Sequence, residues 1–230
     1  LYLWLRSDEL MPTTRRACLI WGGMGLLCAG IHLYYLPMVG LVLVGYAVRR
    51  ALQKRGFAAA MLPVAAFCVT ALAELFLLGA FAVNFAGYSN GYLSGADVVN
   101  LFVPGIAASW EQIVYAGLGT TLAVVLALVC AAVHFSKAKA FFAAHRDWLI
   151  AGVVVLVLDL IAAGGNTVTV AGYTLFTVPI PQFLMDFWAM FSSCARLAWL
   201  AGMLLAVVGC GLVLRFWEGD NRAPAVLLAV

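Results

Sequence analysis

Six apolar runs divide this chain, at residues 17–31, 36–48, 57–83, 113–133, 149–163 and 197–214. Basic residues collect in alternate gaps: Arg49, Arg50, Lys54 and Arg55, then Lys137, Lys139 and Arg146, then Arg215 and Arg222. The other gaps nearly lack Lys and Arg, which is the charge alternation of a polytopic membrane protein. The expected fold is an all-α integral membrane bundle of about six spans. A single helix over residues 17–48 would measure about 48 Å, well beyond a hydrocarbon core of about 30 Å. His32, Tyr34, Tyr35 and Pro37 interrupt that stretch midway, so a tight hairpin is expected there. It keeps Arg15, Arg16, Arg49 and Arg50 on one side.

Carried forward, this parity puts residues 1–16, 49–56, 134–148 and 215–222 in the cytoplasm, and 32–36, 84–112 and 164–196 outside. Twelve of the thirteen Lys and Arg residues are then cytoplasmic, and only Arg196 is not. A multi-pass inner-membrane protein is expected. The outer segment 84–112, with Gly87, Gly91, Gly95, Pro104, Tyr88, Tyr92 and Trp110, reads as a loop lying on the membrane. In the second, Gly164, Gly165 and Asn166 form a turn, and residues 167–178 around Ala171-Gly172 predict a small extracytoplasmic β-hairpin, stopped by Pro179 and Pro181. Residues 182–196 are expected as a short interfacial helix.

Composition agrees. With 66% hydrophobic and 10% charged residues, the chain is no soluble domain, for which about 25% charged is usual. Its net charge of +3 comes from residues beside the spans, so a nucleic-acid partner is not expected. Cys18, Cys28, Cys68, Cys130, Cys194 and Cys210 show no C-x-x-C spacing and read as small packing residues. Leu1–Leu5 reads as the tail of an earlier span, and residues 223–230 begin another apolar run. A single transmembrane domain cut from inside a longer chain is the expectation.

Candidate chemistry is sparse. Glu74 and Asp159 lie inside apolar runs, where a carboxylate costs several kcal/mol unless partnered or wetted; each is a candidate functional acid, against the plainer role of a polar lock between helices. Asp97 and Asn100 read most simply as turn and capping residues, with Asp97 also a candidate base. Arg196 could grip a phosphate by forked hydrogen bonds, or pair with Asp186. His32, beside two tyrosines, is a hydrogen-bonding interfacial residue or a phosphate contact. No P-loop, G-x-G-x-x-G or H-E-x-x-H motif is present, and no cofactor or metal is indicated.

The segment from Asn166 to Pro181, followed by Phe191-Ser-Ser-Cys-Ala-Arg-Leu-Ala-Trp199, resembles a bacterial family of unknown function similar to GT-C glycosyltransferases. Ile31-His32-Leu33-Tyr34, Tyr88-Ser89, Asn100-Leu101 with Pro104, and Tyr115 to Gly119 resemble further pieces of the same family in the same order. The resemblance implies a polyprenyl-phosphate sugar donor and a glycan acceptor, with Arg196 and His32 binding the lipid phosphate. Ser192 and Ala195 stand where its signature has Arg and Gly, and the acidic loop of GT-C enzymes is missing from this stretch. The chemistry would need a carboxylate base, and positive groups or a divalent metal on the departing phosphate. The competing readings are a transporter or lipid flippase working through Glu74 and Asp159, and a non-catalytic membrane scaffold.

Overall fold

Two one-turn helices, α1 (Tyr2–Leu5) and α2 (Ser7–Leu10), precede α3 (Thr14–Ile31), which the Thr13 side chain caps by accepting the Arg16 N–H. Three residues then separate α3 from α4 (Tyr35–Leu52), in a computed structural model that describes residues 1–82, 95–104, 114–182 and 193–217. Pro37 falls in the first turn of α4, where its missing N–H loses no helical bond. Trp21 and Tyr46, nearly equidistant from the break, hold their rings 5.7 Å apart, so the two helices double back as the expected hairpin.

The described residues divide into two compact units. Residues 1–82, 147–159 and 180–182 make the first; residues 95–104, 114–146, 160–179 and 193–217 make the second.

In the first unit, α5 (Phe57–Leu77) lies along α3, with Gly22 facing Ala66 and Thr70, Gly25 facing Phe67 and Ala71, and Gly30 facing Glu74. The partners ascend together, so α3 and α5 are parallel. The Thr70 hydroxyl donates to the Gly22 carbonyl at 2.7 Å. A Cβ on Gly25 would come within 2.5 Å of the Phe67 carbonyl oxygen and Thr70 Oγ1, an approach that only glycine permits. Gly45 of α4 meets Val155, and Arg49 meets Asp147, so α4 runs against α8 (Arg146–Gly164). Arg15, Arg16, Arg49, Arg50, Lys54 and Arg55 therefore gather at one end of this unit.

In the second unit, α6 (Leu118–Val133) and α9 (Trp199–Phe216) are parallel. Ala116 lies opposite Gly202, Ala123 opposite Gly209, and Cys130 clusters with Val213 and Phe216. Small residues line the seam, which lets the two backbones approach closely. At His134 the chain turns by 106° into α7 (Phe135–Ala144), whose Phe141 and Phe142 pack edge-on against Phe216.

Among the described residues four helices are long and apolar enough to cross a membrane, Tyr35–Leu52, Phe57–Leu77, Arg146–Gly164 and Cys194–Phe216, and the bent pair α6–α7 would make a fifth. Of the six apolar runs, 17–31 gives no such helix among the described residues, and 113–133 gives one only as part of the bent pair. Arg15 and Arg16 occupy the first turn of α3, leaving 17–31 as an apolar stretch of about 22 Å, and α6 starts only at Leu118, five residues into its run.

The predicted hairpin is present as β1 (Thr167–Val170) and β2 (Tyr173–Thr177), antiparallel, with an irregularity after Val168. Its two-residue turn has Ala171 at φ 52° and Gly172 at φ 82°, the pair of left-handed conformations of a type I′ turn. Most of the expected loop 84–112, the expected helix 182–196 beyond Gln182 and before Ser193, Asp186, Arg222 and residues 223–230 lie outside the described residues.

Candidate functional site

The candidate residues of the second unit meet at the end opposite Lys137, Lys139 and Arg215. There α8 stops at Gly164, and Gly165, at φ 68°, turns the chain into buried Asn166 and Thr167. Gly95 passes so close that a Cβ on it would sit 1.8 Å from the Gly164 carbonyl oxygen, and the Ala96 N–H donates to the Ala163 carbonyl at 2.7 Å. That contact delivers Asp97 to the hairpin. Asp97 is 2% exposed; its Oδ1 accepts the N–H groups of Val99 at 2.9 Å and Ala171 at 3.1 Å, and its Oδ2 accepts that of Gly172 at 2.7 Å.

A non-glycine residue at positive φ costs about 1–2 kcal/mol, and Ala171 is such a residue. The carboxylate offsets that cost by binding both turn N–H groups. Both oxygens of Asp97 are thus engaged in holding a turn, the capping duty that the sequence favoured over base catalysis. A 3₁₀ turn over Val98–Leu101 follows, with Asn100 fully buried, and the Leu101 carbonyl accepts the Ala116 N–H at 3.0 Å ahead of α6. Ala116 touches Gly202, so the start of α9 lies at this same end. Arg196 rises just before it, half-buried in a 3₁₀ turn over Cys194–Ala198 whose neighbours Ser193 and Cys194 are fully buried.

Glu74, Asp159 and His32 belong to the first unit. Asp159 is fully buried in α8, as a carboxylate within an apolar span requires. Glu74 is half-buried near the end of α5, with a carboxylate oxygen 3.4 Å from where a Gly30 Cβ would stand. His32 is exposed at the α3–α4 turn; its Nδ1 accepts the Tyr34 N–H at 3.2 Å, and its ring sits 5.4 Å from Tyr34 and 5.9 Å from Tyr35. Neither unit alone holds Arg196 together with His32. Among the described residues no three His, Cys, Asp or Glu side chains form a metal-binding group.

A dense polar cluster among the described residues joins acids that the sequence pattern did not single out to two arginines it read only as loop charges. Arg49 and Arg50, expected as loop charges that orient the protein, are buried in the last turn of α4. Arg49 pairs with Asp147 at 2.9 Å and with Asp8, donates to Ser7 Oγ at 3.2 Å, and stacks on the Trp148 ring at 3.7 Å. Arg50 pairs with Asp8 at 3.0 Å and donates to the Ser7 and Met11 carbonyls. These bonds tie α4 to α2 and α8, so the cluster is a lock between the three helices. Buried Trp4, 5.4 Å from Trp148, packs α1 into the same place. The hydrogen bond from Arg49 holds the Asp8 carboxyl below its ordinary range, with Arg50 and Arg55 adding to it. Asp8 and Asp147, acids at a basic end, were the available signal.

The sequence pattern of the domain of unknown function DUF6311 matches residues 1–230. The chain belongs to the DUF6311 family. No match was found among curated proteins or among solved structures. DUF6311 membership brings no activity with it, so what this domain does must be argued from its own residues.

Proposed function

We propose that this DUF6311 domain is part of a GT-C-like membrane glycosyltransferase, taking a sugar from a polyprenyl-phosphate carrier to an acceptor on the far side of a bacterial inner membrane. One observation supports the reading. The described segments that carry the resemblance in the second unit, namely Asn100-Leu101, the residues leading into α6, the hairpin and the Arg196 turn, converge on one end of that unit. The basic residues Lys137, Lys139 and Arg215 lie at the other, and the positive-inside rule assigns that end to the cytoplasm. Within this proposal Arg196 holds the carrier phosphate. The acid that activates the acceptor hydroxyl is then a residue other than Asp97, whose carboxylate is committed to the hairpin.

The test is sugar transfer from a labelled polyprenyl-phosphate donor in membranes carrying the full-length protein. Arg196→Lys keeps the charge but loses the forked geometry, and should lose most of the activity with its melting temperature retained. Arg196→Ala with unchanged donor binding and transfer overturns the assignment. A second reading, a lipid flippase or transporter, draws on the fully buried Asp159 and on Glu74 packed against α3. Proton-coupled flux lost in Asp159→Asn, with no transfer activity in the parent protein, would favour it.

A further inference from the structure

At the basic end of the first unit, α4 and α5 part to leave a groove of about 660 Å³, within the roughly 300–1,000 Å³ of small-molecule sites. Its walls are Val44, Ala47, Val48 and Ala51 on α4 with Ala60, Met61 and Val64 on α5, all apolar. From Val44 to Ala51 the groove runs about 10 Å along the helix, most of the roughly 15 Å depth of one leaflet. Lys54 stands at its mouth, beside Gly56 and Phe57.

The backbone at Lys54 is unusual. Its N–H donates to the Ala51 carbonyl at 2.9 Å and the Arg55 N–H donates to the Arg50 carbonyl at 3.1 Å, the two bonds of a Schellman helix ending. Lys54 holds the left-handed position of that motif, φ 55°, which glycine normally takes. Non-glycine residues held in such conformations cluster at binding and active sites. Asp8 is engaged by Arg49 and Arg50, whereas the Lys54 ammonium has no ion pair or hydrogen bond among the described residues.

We infer that this groove is a binding site for an anionic phospholipid, with the headgroup phosphate on Lys54 and one acyl chain along α4 and α5. The charge argues for this occupant: an apolar channel ending in an unpaired cation matches an acyl chain joined to a phosphate. The site lies in the first unit and does not depend on the glycosyltransferase reading.

Native mass spectrometry of the full-length protein, released from mixed micelles of 16-carbon phosphatidylglycerol or phosphatidylcholine, tests it. Phosphatidylglycerol should stay bound and phosphatidylcholine should not. Lys54→Gly should move two readouts in opposite directions, raising the melting temperature by relieving the strained position while weakening phosphatidylglycerol retention roughly fivefold to tenfold. Ala47→Phe, which fills the groove and keeps the cation, should abolish retention. Equal retention of both lipids, or retention unchanged in Lys54→Gly, overturns the proposal. So does a Lys54→Gly protein that loses stability and lipid together, which would make Lys54 structural. Inorganic phosphate alone should not shift the melting temperature; a shift abolished by Lys54→Gly would mark a free-anion site instead.

Discussion

Replacing Asp97 by Asn separates the two duties that this residue could have. If the amide oxygen takes the place of Oδ1, it still accepts the Val99 and Ala171 N–H groups, but the amide nitrogen then faces the Gly172 N–H, now a donor against a donor. The loss of a charge-assisted bond to a part-buried N–H is worth about 1.5–3 kcal/mol. Ala171, at φ 52°, loses part of the support for its left-handed backbone, which itself costs about 1–2 kcal/mol. The expected destabilisation is therefore about 2–3 kcal/mol, and Ala171→Gly should recover about 1 kcal/mol of it. The appropriate assay is thermal unfolding in detergent combined with amide exchange read by mass spectrometry. Protection at residues 171 and 172 should fall first, and the double variant should show coupling between the sites. An Asp97→Asn protein with unchanged melting and unchanged exchange at the turn would refute the reasoning. Abolished activity in the full-length protein with the turn still protected would return Asp97 to the catalytic candidates.

Gly25→Ala should cost about 1–3 kcal/mol, because α3 and α5 must separate to admit a methyl that would lie 2.5 Å from the Phe67 carbonyl oxygen; melting of the variant unchanged from the parent would show that the two helices do not pack this closely. Asp8 has a folded-state pKa below its unfolded value, so its contribution to stability is present above the ordinary aspartate value of about 3.9 and is lost as pH falls through the lower folded value. Melting followed from pH 6 down to pH 3 should fall more steeply for the parent than for Asp8→Asn, and parallel curves would deny the Arg49–Asp8 pair a stabilising role.

Much of the fold could be read locally. The break at His32 to Tyr34 followed from a stretch too long for a membrane and divided by polar residues, and the helices do separate there. The β-hairpin followed from alternating Thr and Val around Ala171-Gly172, and its strands end within a residue of that expectation. Period and turn chemistry are properties of neighbours in sequence, so they survive without knowledge of the rest. The helix boundaries did not, because apolar character alone does not show where a helix starts: the 113–133 run contributes a helix only from Leu118, and α7 departs at 106°.

The pairings were beyond local reach. Nothing in the spacing of Asp97 from Ala171 says that a carboxylate 74 residues upstream holds the turn N–H groups. Likewise Arg49 and Arg50 read as free loop cations when seen only beside Lys54 and Arg55, and their partners Asp8 and Asp147 come from segments 41 residues before and 98 residues after Arg49. Hydrophobic pattern and charge bias set which segments are helical and which ends are basic, since both act through solvent and the bilayer on each segment by itself. Which carboxylate meets which donor depends on how α2, α4 and α8 meet and on how the 95–97 segment meets the hairpin, and those approaches exist only once glycines such as Gly45 and Gly95 lie against Val155 and Gly164.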